Sequence, residues 1–121
     1  MDALLATINT TTGADLSAQR TALISKYANG TSLNESRSLV LREAIEQADF
    51  KQAVYNPSFV TMQYFGYLGR SPEESGYRFW LNILNQQPGN FRGMVCSFLT
   101  SAEYQRRFSS VVTHNNGECG Q

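Results

Sequence analysis

Residues 59–108 read FVTMQYFGYLGRSPEESGYRFWLNILNQQPGNFRGMVCSFLTSAEYQRRF, and their apolar side chains recur at helical spacing rather than alternating as in a strand. Tyr77, Trp80, Leu81 and Leu84 stand at i, i+3, i+4 and i+7, along one side of a helix that Pro88 and Gly89 would end. Phe91, Met94, Val95 and Phe98 repeat the spacing behind Asn90, a residue suited to cap them. Ser71, Pro72, Glu73 and Glu74 combine a cap, a proline at the first helical position and an early carboxylate, which predicts a helix start at Ser71. Thr100 with Glu103 predicts another, ahead of Tyr104, Phe108, Val111 and Val112. The segment Phe59 to Leu68 carries Phe59, Val60, Met62, Tyr64, Phe65, Tyr67 and Leu68 all round a helix. It is therefore expected in the middle of the domain, with Asn56 and Pro57 as its start.

Working outward toward the N-terminus, the same signals recur. Asp2 could cap a first piece with Leu4, Leu5 and Ile8, ended by Thr10, Thr11, Thr12 and Gly13. Asp15 opens a second piece, with Leu16, Leu23, Ile24 and Tyr27 on one face and Asn29 and Gly30 as its stop. Ser32 and Glu35 form a capping box before Leu33, Val40, Leu41, Ala44 and Ala48, and a short piece around Phe50 and Val54 follows. The order Arg20, Leu23, Gly30, Arg37, Leu39, Val40, Ala48, Asp49, Phe50 is echoed by Arg78, Leu81, Gly89, Arg92, Met94, Val95, Ala102, Glu103, Tyr104, a weak internal repeat. The expectation is an all-α fold, a single compact domain of roughly five to eight short helices that could comprise two related helical halves. Residues 1–14 are read as an N-terminal helical piece or the end of an upstream segment, residues 15–113 as the helical domain, and residues 114–121, HNNGECGQ, as a flexible tail.

With 121 residues, ten basic and ten acidic, the chain carries no net charge and has the length of one domain. That balance removes the electrostatic footprint of a nucleic-acid binder, so no nucleic-acid partner is expected. No apolar run approaches the length of a membrane span, and no basic region leads into an apolar stretch at the N-terminus, so neither membrane insertion nor a signal peptide is expected.

The block Phe59, Val60, Tyr64, Leu68, Gly69, Arg70, Pro72, Gly76 and Trp80, then Arg92, Val95, Ser101, Glu103 and Tyr104, resembles the bacterial family called domain of unknown function 4214. With Arg37 to Phe50 as the preceding half of the unit, the likeness covers roughly residues 16–108. The L-G-R-x-P and aromatic pattern also looks distantly like the linker domains of phycobilisomes, which are helical assembly modules. The resemblance implies an accessory module within a larger bacterial cell-surface or secreted protein, with no established activity. An extracellular or surface location follows from that likeness alone, and a cytoplasmic one stays open.

Catalytic constellations are scarce. His114 is the single histidine and lies in the tail, so a nucleophilic triad or a histidine-rich zinc site has little to be built from. Glu73 and Glu74 fit the dipole of a helix start better than acid/base chemistry, and no calcium loop or glycine-rich phosphate loop is found. No enzyme activity, cofactor or metal is therefore expected. Arg70 follows a helix end and is read as satisfying its carbonyls. Cys96 and Cys119 read first as unpaired thiols and alternatively as a disulfide pinning the tail. In the bacterial context that the resemblance implies, the glycosylation-like triplets at Asn9, Asn29 and Asn34 are expected to carry no meaning. What composition favours is sugar binding by aromatic rings and amides: Arg78, Asn82 and Asn85 share a donor-rich helix face, with Tyr64 or Tyr67 expected alongside from the preceding helix. The partners expected are accordingly a glycan or a surface-layer protein, with self-association in a linker-like assembly as the alternative.

Overall fold

Start and stop signals of this density produce short helices, and the structure, a computed structural model, describes them for residues 1–111 and for Cys119. Among the described residues there are seven α-helices and no strand: α1 Asp2–Thr12, α2 Arg20–Ala28, α3 Leu33–Glu46, α4 Ala48–Gln63, α5 Glu74–Gln86, α6 Phe91–Leu99 and α7 Ala102–Phe108. The all-α class and the helix number are as expected. The chain packs as two compact units, Met1–Tyr55 and Asn56–Gln121. The expected tail, Cys119 apart, lies outside the described residues, as do Val112 and His114.

In the first unit, α1 ends where Gly13 turns left-handed at φ 73° and donates its N–H to the carbonyl of Asn9. Asp2 does not cap α1; both its carboxylate oxygens accept from Arg20 at 2.9 Å. Asp15 accepts from the N–H of Ser17 and starts a 3-10 turn, Ser17–Gln19, so α2 begins five residues later than Asp15, at Arg20. The Ser32 cap is as expected, its hydroxyl accepting from the Glu35 N–H at 3.2 Å. Glu35 reaches back one residue further than a capping box requires, to the N–H and hydroxyl of Thr31. Leu5, Ile8, Ala14, Leu16, Leu23, Val40 and Ala44 form the core of this unit, with Phe50 and Ala53 of α4 packed against it.

Pro57 does not start a helix. It sits inside α4, where it lacks the N–H that the ladder would use, and the division between the two units falls beside it, after Tyr55. After Gln63 the helix widens into a π-helical turn, Tyr64–Leu68, which Gly69 closes at φ 62°. The expectation of burial on every side of Phe59 to Leu68 is corrected: Val60, Tyr64 and Leu68 are buried on one face, while Met62 and Phe65 are 62% and 49% exposed. Leu84, Met94 and Phe98 complete the core of the second unit, and Phe59, Tyr67, Tyr77, Trp80, Phe91 and Tyr104 pack against it. Its aromatic rings meet edge to face, Tyr64 with Phe98 at 4.9 Å and Trp80 with Phe98 at 5.9 Å.

The two units share an order of parts. Each runs helix, left-handed glycine, connection, helix, helix, helix, with Gly13 and Gly69 in matching places. In each, the second residue of the last helix is an acid held from the connection: Gln19 donates to Asp49 at 3.0 Å in the first unit, and Arg70 donates to Glu103 in the second.

Candidate functional site

A polar cluster of the second unit is built around Arg70, placed directly after the Gly69 turn. Its Nε and Nη2 donate to the two oxygens of Glu103 at 2.7 and 3.0 Å. Its Nη1 donates to Glu73 at 2.5 Å and to the carbonyl of Ser71 at 3.1 Å. The guanidinium also lies over the ring of Tyr64, 5.2 Å from its centre, and the Tyr64 hydroxyl donates to Glu73 at 3.4 Å. Arg70 thus spans a carboxylate on α7 and one ahead of α5, which corrects the reading that it serves helix-end carbonyls.

Electrostatics follow from these contacts. The Arg70 hydrogen bonds hold the carboxyls of Glu73 and Glu103 below the usual glutamate range, and the two carboxylates in turn raise the guanidinium further. Burial, then the charge of Glu73, pushes the Tyr64 phenol up. At neutral pH the arginine and both glutamates are therefore ionised and the tyrosine is protonated, each engaged with the others.

This cluster also explains the start of α5. Ser71 does not cap it; Glu73 takes the cap position in an extended conformation without a side-chain cap bond, because Arg70 and Tyr64 hold its carboxylate. Thr100 is likewise displaced as a cap by Ser101, whose hydroxyl accepts from the Tyr104 N–H at 3.1 Å, leaving Thr100 to donate to the Cys96 carbonyl. Asn90 does occupy the cap position of α6, with its side chain turned to Gln87.

The residues expected to read sugar hydroxyls are placed unevenly. Arg78, Asn82 and Asn85 are exposed on α5. Arg78 pairs with Glu74 at 2.5 Å, Asn82 accepts from Gln86 at 3.2 Å, and Asn85 accepts from Asn56 at 2.9 Å. Tyr64 is only 3% exposed, its ring set against Phe98 and under Arg70, so it offers no face to a ligand. Tyr67 is half-buried, edge-on to Phe98 and Tyr104. The aromatic ring that does stand on the donor face is Phe79, 57% exposed, three residues before Asn82 and steadied edge-on by Trp80 at 5.1 Å. Its place next to Arg78 and outside the Tyr77, Trp80, Leu81, Leu84 stripe was the available signal. Among the described residues no group of three or more histidine, cysteine or acidic side chains is placed to hold a metal, and no helix is long and apolar enough to cross a membrane.

Compared with known families, the chain matches the one described as Domain of unknown function (DUF4214) over residues 39–108, more than half its length. The chain belongs to this family. No curated protein and no solved structure matches it. Several of the DUF4214 residues noted in the sequence now have physical roles. Leu68 and Val60 fill the core, Gly69 supplies the left-handed turn, Arg70 and Glu103 tie that turn to α7, and Ser101 caps α7. Gly76 is needed because a side chain there would collide with the Tyr64 hydroxyl and the Glu73 carboxylate. The matched region starts inside α3, so the DUF4214 match takes in all of the second unit up to Phe108 and the end of the first.

Cys96 of α6 is joined to Cys119 by a disulfide with a Cα–Cα distance of 5.4 Å. The first reading of these cysteines, as unpaired thiols, is thereby corrected, and its alternative holds.

Proposed function

We propose that this DUF4214 chain is a non-enzymatic accessory interaction module of a bacterial cell-surface or secreted protein, and that it takes a glycan on the exposed face of α5. The observation that carries the reading is Phe79, an open ring on a face shared with Arg78, Asn82, Asn85 and Gln86. A ring face stacks on a pyranose while amides and a guanidinium meet its hydroxyls. Two features support the rest. The ionisable groups of the Arg70 cluster are saturated by one another, which is the arrangement of a structural clasp rather than of an acid or base awaiting substrate. A disulfide is at home in an oxidising compartment.

The test is amide chemical-shift mapping during titration with mono- and oligosaccharides. A single open face binds sugar near the millimolar level, worth about 4 kcal/mol, so shifts are expected on α5 at high saccharide concentration. Phe79→Ala should abolish them while changing stability by less than about 1 kcal/mol, since the ring is largely exposed. Absence of α5 shifts with any saccharide would overturn the glycan assignment.

A second reading, self-assembly or a protein partner, is favoured by the exposure of Met62 and Phe65. Elution volume that shifts with protein concentration, lost in Met62→Ser and Phe65→Ser, would support it.

A further inference from the structure

We propose that the first unit holds a separate binding site for one aromatic ring, a phenylalanine or tyrosine side chain presented by a partner polypeptide. The site is an apolar groove of about 270 Å³ lined by residues of α1 and α3 and by Phe50, all within residues 1–55. Leu4, Ile8, Leu41, Ala44 and Ile45 line it. Two of the three threonines in its wall, Thr7 and Thr12, turn their hydroxyls back to the carbonyls of Ala3 and Ile8. A cavity of about 150 Å³ with such a lining suffices for benzene, so one ring has room here.

What belongs in the groove is indicated by the second unit, built in the same order. Counting back from the left-handed glycines, Ile8 matches Tyr64 and Thr11 matches Tyr67. Counting back from the alanines that begin the last helices, Val40 matches Met94 and Ala44 matches Phe98, while Phe50 matches Tyr104. The buried pairs agree: Ile8 and Tyr64, Val40 and Met94, Ala44 and Phe98 are all core residues. In the second unit Tyr67 packs edge-on to Phe98 and to Tyr104, at 6.5 and 6.1 Å. In the first unit both rings are missing, replaced by Thr11 and Ala44, and Phe50 is left facing the vacated space. An incoming ring would restore the edge-to-face contact with Phe50 that Tyr67 makes with Tyr104. This site shares no residue with the α5 face, so either can fail alone.

The experiment is amide shift mapping on the whole chain with p-cresol and with N-acetyl-tyrosinamide as probes and cyclohexanol as a non-aromatic control. Both aromatic probes should shift amides of α1, α3 and Phe50 at millimolar concentration, and cyclohexanol should bind more weakly by about threefold or more, the margin that an aromatic pair confers. Ala44→Phe, which restores one missing ring internally, should abolish the shifts. Because Ala44 is fully buried and a larger side chain there can compromise folding, Thr11→Tyr on the exposed rim provides the second variant and should do the same. The proposal is overturned if the aromatic probes leave these amides unmoved, if Thr11→Tyr binds as well as the wild type, or if cyclohexanol binds equally. Response to p-cresol without response to N-acetyl-tyrosinamide would overturn the polypeptide partner.

Discussion

Arg70 and Glu103 stand 33 residues apart in sequence and meet through two parallel hydrogen bonds, Nε to one carboxylate oxygen at 2.7 Å and Nη2 to the other at 3.0 Å. The fork geometry uses what a guanidinium has and an ammonium lacks. Both side chains are about one-third exposed, so the pair is partly shielded from water and gains more than an open surface ion pair does. Its effect is to fix the turn after Leu68 against the first turn of α7, and through Glu73 and Tyr64 the same arginine sets where α5 begins.

Gly76 gives a prediction whose sign separates this account from helix propensity. Alanine in a helix interior is normally favoured over glycine by about 1 kcal/mol. Here the added methyl meets Tyr64 and Glu73, so Gly76→Ala should instead destabilise by about 1–3 kcal/mol in urea unfolding. A stabilised variant would mean that Tyr64 and Glu73 do not stand where they are described.

Acid should weaken the second unit through Arg70. The folded-state pKa values of Glu73 and Glu103 lie below their unfolded ones, so their contribution is fully present above the ordinary glutamate value, about 4.3, and drains away as the pH falls through it toward the folded values. Exposed carboxylates such as Asp2 and Glu35 are lowered too and contribute to the slope in any variant that keeps them. Arg70→Met should therefore show a shallower fall of the thermal midpoint over that pH window than the wild type. Identical slopes would contradict the assignment.

How much of this was legible beforehand varied with the range of the interaction. The Ser32 cap and the Gly13 stop are local, set by residues three or four apart, and could be read directly. Pro57 could not, because an Asn-Pro pair signals a helix start only if no helix already runs through it, and α4 does. The α5 cap at Glu73 rather than Ser71 depends on Arg70 and Tyr64, which hold the Glu73 carboxylate, and the expected box of Thr100 with Glu103 fails because Arg70, 33 residues away in sequence, takes the Glu103 carboxylate once the chain is folded. The proposed glycan face was half legible: three polar positions on one side of α5 were evident from spacing, whereas Tyr64, expected beside them, is buried, and the exposed ring there is Phe79. Aromatic composition alone does not separate core from surface.

The disulfide predicts an intact mass that rises by two hydrogens on reduction. Closing a span of 23 residues, it should add about 2–4 kcal/mol, so Cys119→Ser should lower unfolding stability by that amount and wild type under reducing conditions should match it. Unchanged mass on reduction would show that Cys96 and Cys119 are not joined.

The central claim, that Arg70 and Glu103 of the DUF4214 pattern are spent on holding the second unit together, is tested most directly by a double-mutant cycle in urea unfolding with Arg70→Met, Glu103→Gln and the pair. A partly shielded, two-bond ion pair predicts a coupling energy of about 1–2 kcal/mol, with each single variant clearly destabilised. Single variants as stable as the wild type, with a coupling below about 0.3 kcal/mol, would contradict the claim and free Arg70 for another role.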